Sequence, residues 1–251
     1  MTRGHLAINL SDEQLVRYRD QLAVPGMTKE AQARLLRGKV VVLGNFGTGT
    51  VAAKVLCQAG IGQLTLVDLS PKQLAKSSRS IKDRNQVAGD TEITLKAIAL
   101  TDSKTEELLR QNNLAIDALE DWQEKLTLSD MCMSTRTPLI HTGVAGFRYQ
   151  LFSMLPGKSA CLRCALPLAG IDDVPREPLK LGKVGAVLEM AGAWQAIEAI
   201  KLIAKVGATQ GNELFKFDCL SGEFEIIRGL DPQSDCPDCG GRKRTAKAGL
   251  S

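Results

Sequence analysis

The sequence predicts an α/β fold: a doubly wound, mostly parallel sheet, continued by a mixed C-terminal part that a four-cysteine metal site clips in place. Two observations predict it. Lys39 to Asp68 reads as a buried strand, a glycine turn, a helix and a second strand, which is how a parallel sheet begins. Two Cys-x-x-Cys pairs, Cys161/Cys164 and Cys236/Cys239, then stand far apart in the second half of the chain.

Each element follows in order. Residues 11–37 carry apolar side chains at helical spacing (Leu15, Tyr18, Leu22, then Ala31 and Leu35), and Pro25-Gly26 divides them into two short helices. Lys39–Leu43 is β-branched and apolar, and ends at Gly44 as a buried strand does. A helix over Thr48–Gln58 stops at Ala59-Gly60-Ile61-Gly62, and Leu64–Val67 is the next strand. Glu92–Leu100 alternates as a strand, Thr105–Gln111 is helical, and Leu114–Leu119, Pro138–Val144 and Tyr149–Leu155 are further strands. Leu188–Val206 is the longest helical pattern, with Met190, Trp194, Ile197 and Ile200 on one face, a core or dimer surface. Phe215–Cys219 and Phe224–Ile227 flank Ser221-Gly222 as a hairpin. The organisation expected is N-terminal helices over 1–38, an α/β core of nucleotide-binding type over 39–155, a crossover, long helix and hairpin over 156–240, and a disordered basic tail over 241–251.

The chain has 251 residues, 44% of them hydrophobic and 24% charged, enough for a sizeable core. The net charge of +4 comes from Arg242, Lys243, Arg244 and Lys247; residues 1–240 carry 28 charges of each sign. A neutral body excludes a basic nucleic-acid footprint. No apolar run approaches the ~20 residues that span a bilayer, and the polar start gives a cytoplasmic expectation. In that compartment cysteines serve as ligands or core residues rather than disulfides. Cys57, Cys132 and Cys219 lie among apolar residues and are expected in the core.

Each Cys-x-x-Cys pair presents two sulfurs from a tight turn, and two pairs supply the four thiolates of a tetrahedral Zn2+ site. With only His5 and His141 elsewhere, Cys161, Cys164, Cys236 and Cys239 are the natural ligand set. Four protein ligands leave no position for water, so this zinc is structural. Gly44-Asn45-Phe46-Gly47-Thr48-Gly49 follows a strand and opens a helix, with Asp68 ending the next strand. In such a fingerprint the first glycine turns the chain, the second admits phosphate to the backbone, the third packs helix on strand, and the acid binds ribose. His141 sits at a strand end, where it either faces the site or is a satisfied structural histidine.

With these motifs in place the sequence resembles the ThiF/MoeB/HesA family, relatives of the ubiquitin-activating enzymes, from Leu10 to Gly240. The resemblance is carried by Leu10-Ser-Asp-Glu-Gln-Leu-Val-Arg17-Tyr18, by Ala59-Gly-Ile-Gly-Gln-Leu-Thr-Leu-Val-Asp68, by the two Cys pairs and by Gln195-Ala-Ile-Glu-Ala-Ile-Lys201. It implies a Rossmann-like sheet binding Mg-ATP at Gly44, Gly47, Gly49 and Asp68, and a homodimer with a four-cysteine zinc. The implied reaction is adenylation of the C-terminal glycine carboxylate of a ubiquitin-like sulfur carrier ending in Gly-Gly. Arg79 and Glu120 are the catalytic residues it implies.

The sequence departs from the family where ATP would be handled. Phe46 replaces a loop glycine, Asp20 stands where an arginine reaches the partner's phosphate site, and Ser70 replaces a second acid. Of the motif Asn-Leu-x-Arg-Gln, Lys76-Ser-Ser-Arg79-Ser80 keeps only Arg79. Six residues separate Ser80 from Val87, where the family has a longer loop and a helix bearing a phosphate-contacting lysine; Lys82 or Arg84 would have to substitute. Asp117-Ala-Leu-Glu120-Asp121 keeps the magnesium-associated acid one methylene longer. Ala165–Met190 has no cysteine for a covalent carrier intermediate, and Pro178 falls near its place. Two readings therefore stand: an adenylyltransferase with an eroded ATP site, or an inactive zinc-stabilised dimer or partner subunit that binds a carrier or an active relative without ATP. A nicotinamide oxidoreductase explains Asp68 but neither the Cys pairs nor Arg17-Tyr18.

Overall fold

A computed structural model of the chain describes residues 10–44, 47–84, 89–168, 170, 182–209 and 211–240, without the side chains of 82–84 and 168. Asn45 and Phe46, the side chains of Lys82 and Arg84, Pro178 with the crossover around it, and the basic tail all lie outside that description.

Eight strands form one sheet in the order β3-β2-β1-β4-β5-β6-β7-β8. β1 (Lys39–Leu43), β2 (Gln63–Val67), β3 (Glu92–Lys96), β4 (Leu114–Asp117) and β5 (Leu139–Ala145) run parallel. β6 (Arg148–Met154), β7 (Glu213–Asp218) and β8 (Glu223–Arg228) continue it antiparallel. The doubly wound, mostly parallel architecture is thus present. The C-terminal part both extends the sheet with β7 and β8 and packs helices onto its faces.

The central parallel strands β1 and β4 are buried on both faces, as crossover helices require, while the edge strand β3 is largely exposed. On one face Val40, Val42, Leu64, Leu66 and Ile116 meet α4 (Thr48–Ala59), α5 (Pro71–Arg84) and α9 (Gly185–Ala204). On the other, Val41, Leu43, Leu139 and Phe152 meet α6 (Ser103–Gln111), α7 (Trp122–Thr135) and α8 (Leu162–Leu168). Full burial of one such side chain contributes about 1.5–3 kcal/mol, so the two-sided sheet fixes the frame that holds the site.

Several elements differ from expectation. The N-terminal segment is three helices, α1 (Asp12–Arg17), α2 (Arg19–Leu22) and α3 (Lys29–Leu36), because Tyr18 breaks the first run. Tyr18 is turned inward, where its hydroxyl donates to Asp90 Oδ2 at 2.8 Å; Arg17 pairs with the same carboxylate. The strand expected to reach Leu100 stops at Lys96. α5, α7 and α8 were not anticipated. α7 is started by Asp121, whose carboxylate accepts from the Glu124 N–H at 3.0 Å, but its buried stripe of Lys125, Leu126, Leu128, Ser129, Cys132 and Met133 includes a lysine and a serine, while Met131 lies off it, which blurs the apolar 3.6-residue period. On α9 the buried stripe is Ala191, Gly192, Gln195, Ala196 and Ala199, whereas Met190 and Ile197 are exposed. Cys57 and Cys132 are core thiols, while Cys219 is only partly buried.

Candidate functional site

The glycine turn leads from β1 into α4. Gly44 has φ +84°, and a Cβ there would lie 2.3 Å from the Ala118 carbonyl oxygen; a Cβ on Gly49 would lie 2.4 Å from the Gly44 carbonyl oxygen. Only glycine at both positions lets the turn, the head of α4 and the end of β4 touch. Gly47, with φ +62°, is the N-cap of α4.

A cavity of about 550 Å³ opens beside this turn, at the carboxyl ends of β1, β4 and β5, where doubly wound sheets bind ligands. One end is lined by Gly47, Thr48, Ala118 and Glu120. From there it runs over the antiparallel strands, whose register builds the floor. Two neighbouring cross-strand rows, Gly143–Gln150–Lys216–Glu225 and Ala145–Arg148–Asp218–Glu223, put all eight residues into the lining. The floor is bound by ion pairs: Arg148 Nε lies 2.6 Å from Asp218, Lys216 Nζ 3.9 Å from Glu225, and Lys183 Nζ 2.5 Å from Glu120.

A buried charge network supports the cavity wall. Lys125, from α7, donates to both oxygens of Asp117 at 3.1 Å and to the Thr142 carbonyl at 2.9 Å. His141 Nδ1 lies 2.6 Å from Asp117 Oδ2, and the Leu119 N–H donates to Oδ1 at 3.0 Å. Burial opposes ionisation of Asp117, but Lys125, His141 and the Leu119 amide outweigh it and hold the carboxyl below the usual range. Burial likewise pushes His141 down, against the pull of Asp117, so it stays neutral. Three buried side-chain oxygens have no partner among the described residues, Gln195 Oε1, Thr142 Oγ1 and Asn212 Oδ1, of which only Thr142 lines the cavity.

The residues expected from sequence divide. Gly47 and Glu120 line the cavity, with Gly44 and Gly49 shaping its rim from behind. Asp68 ends β2 half-buried, its carboxylate accepting from the Ser70 N–H at 2.8 Å, and is not in the lining. Arg79 is exposed on α5, its Nε 3.4 Å from the Ala75 carbonyl, and does not reach the cavity. Asp20 is 90% exposed and pairs with Arg19. His141 is buried against Asp117 rather than presented to the cavity. Lys125, Arg148, Gln150, Lys183 and Lys216 were missed. Polar alternation in β6, β7 and β8 is the signal that marks three of them.

The four cysteine sulfurs converge at the far end of the fold, all within 4.8 Å of one another. Cys161–Cys236 is 3.7 Å and Cys164–Cys239 is 3.6 Å. A tetrahedron with metal–sulfur bonds near 2.3 Å has edges of about 3.8 Å, so the donor set fits a metal ion. Burial pushes the Cys164 thiol up to about 12. Cys236, despite burial, is brought down to about 7 by the backbone N–H groups of Cys239 and Asp238. A group of this kind closes on a cation.

ATP and Mg2+, which the resemblance implies, meet a different test. Among the described residues, the cations lining the cavity (Lys125, Arg148, Lys183 and Lys216) are each paired with a carboxylate. Glu124 nearby is pushed up by burial and then by the charges of Asp121, Asp117 and Asp68, a sign of negative potential at that end. Among the described residues, no cation lining the cavity is without a carboxylate partner to offer a triphosphate.

A doubly wound sheet with a cavity at its switch point and a four-cysteine cluster able to hold a metal ion defines a Rossmann-like α/β protein. The ThiF family model matches residues 18–71 and 72–238, and the chain belongs to the ThiF family. It is 29% identical over 249 residues to "Adenylyltransferase and sulfurtransferase MOCS3" of Bos taurus, covering 93% of this chain and 55% of that protein. It is 28% identical to "Sulfur carrier protein ThiS adenylyltransferase" of Escherichia coli (strain K12), covering 92% and 98%. To "Protein HesA" of Leptolyngbya boryana it is also 28% identical, over 93% and 88%. The chain spans about half the length of the MOCS3 relatives. The fold is also that of E. coli MccB bound to MccA-N7isoASN, with a TM-score of 0.72, 18% identity, and coverage of 93% of this chain and 76% of that one. Among the described residues no helix is long and apolar enough to cross a membrane.

Proposed function

We propose that the protein binds the C-terminal tail of a ubiquitin-like sulfur carrier ending in Gly-Gly, and that it serves the family reaction, ATP-dependent adenylation of the tail carboxylate, from an eroded ATP site. The observation that carries this reading is the single continuous cavity. It joins a glycine turn and helix N-terminus at one end to a floor of internally neutralised ion pairs at the other, a shape suited to an extended tail arriving at a nucleotide-type end. The names of the MOCS3 and ThiS-adenylyltransferase relatives support the reaction class. Zn2+ on Cys161, Cys164, Cys236 and Cys239 is structural in this reading, and the assembly is a homodimer in the cytoplasm.

The pairing of the described cavity cations favours a second reading, an inactive partner that binds the carrier, or an active relative, without ATP. Adenylation builds negative charge on phosphate, and loss of one preorganised donor costs about 10²–10³ in rate. The experiment is ATP-dependent thermal stabilisation together with pyrophosphate exchange in the presence of a Gly-Gly-ended carrier. The first reading expects a small rise in melting temperature and slow exchange. A flat response in both, with carrier binding intact, selects the second. Phe46→Gly with Asp20→Arg is expected to raise ATP affinity under either reading.

A further inference from the structure

Gln150 differs from its ionic neighbours on the cavity floor. Its carboxamide is held from beneath by a buried relay that ends in a charge. Asp117 is ionised and accepts the hydrogen bond donated by His141 Nδ1–H at 2.6 Å; Lys125 and the Leu119 amide occupy the carboxylate's remaining positions. With Nδ1 donating and the ring neutral, His141 Nε2 carries a lone pair. That lone pair faces Gln150 Nε2 at 3.5 Å. One amide hydrogen of Gln150 is thereby committed. Its Oε1 and second amide hydrogen have no partner among the described residues, although the side chain lines the cavity. Gly143, its cross-strand partner, leaves the room: a Cβ there would stand 3.3 Å from the Gln150 Cγ and Nε2.

An acceptor and a donor side by side on a fixed plane complement one chemical group above others, the N–H and C=O of an extended peptide backbone. The flanking pairs Arg148–Asp218 and Lys216–Glu225 are already neutralised, so they do not redirect this position toward a charged ligand. We propose that Gln150 reads the backbone of the extended tail in this cavity, and that His141 is a positioning residue that fixes its orientation. The proposal rests on the tail-binding reading above and assigns it a residue.

The test is a backbone-ester scan on the full chain. A fluorescein-labelled hexapeptide ending in Gly-Gly with a free carboxylate is compared with versions in which one peptide N–H is replaced by oxygen, and binding is followed by anisotropy. One ester is expected to weaken binding to the wild type by about five-fold, the scale of a single neutral hydrogen bond, and to have no effect on Gln150→Leu. His141→Phe, which lowers the melting temperature by stripping a hydrogen bond from Asp117, is expected also to shrink that coupling in the folded protein. If His141→Phe does not fold, the Gln150→Leu cycle decides by itself. Binding of the parent peptide with every ester effect equal in wild type and Gln150→Leu overturns this assignment and leaves tail binding standing. Failure of the wild type to bind any of the peptides overturns the tail-binding reading, and the role of Gln150 with it.

Discussion

The Nζ of Lys125 stands 3.1 Å from both carboxylate oxygens of Asp117, with the two side chains 5% and 0% exposed. The pair ties α7 to the end of β4, with Lys125 in the cavity wall and Asp117 behind it. A buried pair of this kind is maintained by mutual satisfaction, since neither charge tolerates the loss of the other.

Removing one partner should therefore be costly and removing both much less so. Lys125→Met is expected to destabilise the protein by about 3–5 kcal/mol, because it strands a buried carboxylate. Adding Asp117→Asn should restore most of that loss, as the neutral amide no longer demands a cation. Urea unfolding of the two single variants and the double variant measures the coupling. Additive losses would contradict the network.

His141 makes stability depend on pH in a defined direction. Its folded pKa lies below the ordinary 6.5 because burial disfavours the charged ring. Between that lowered value and 6.5 the unfolded chain binds the proton and the folded chain does not, so stability falls as pH falls through this window. The slope contributed by one such group is at most about 1.4 kcal/mol per pH unit. His141→Gln should flatten the profile just below pH 6.5. An unchanged slope would place the titration elsewhere.

The four-cysteine cluster predicts one bound Zn2+ per chain by elemental analysis. Structural zinc is worth several kcal/mol to folding, and for a chain of this length each kcal/mol moves the melting temperature by about 2–4 °C. Cys236→Ser or exhaustive chelation should lower it by roughly 10 °C. The β7–β8 hairpin and residues 229–240 should lose hydrogen-exchange protection before the parallel strands. A metal-free protein with an unaltered melting curve would rule the metal out.

Much of the fold could be read without coordinates. Lys39–Leu43 and Leu64–Val67 are apolar on both faces, a pattern that only a covered parallel strand satisfies, and Gly44 and Gly49 sit where a tight strand-to-helix turn needs them. Helices carrying their signal on one stripe, such as α6, were equally plain. α7 was not, because its buried stripe carries Lys125 and Ser129 among its apolar residues. With α7 unread, Lys125 could not be placed, and the charge that neutralises Asp117 went unrecognised.

The sequence by itself determined the strand–turn–helix opening, the pairing of Cys161 and Cys164 with Cys236 and Cys239, and family membership. These rest on local spacing and on residue types with one dominant use. The tertiary structure decided what faces the cavity. Arg79 turned away along α5, His141 turned inward to Asp117, and the register of β5 to β8 set Gln150, Arg148 and Lys216 in two rows on one surface. Facing is a property of register and packing, and a one-residue shift along any of those strands would reverse it.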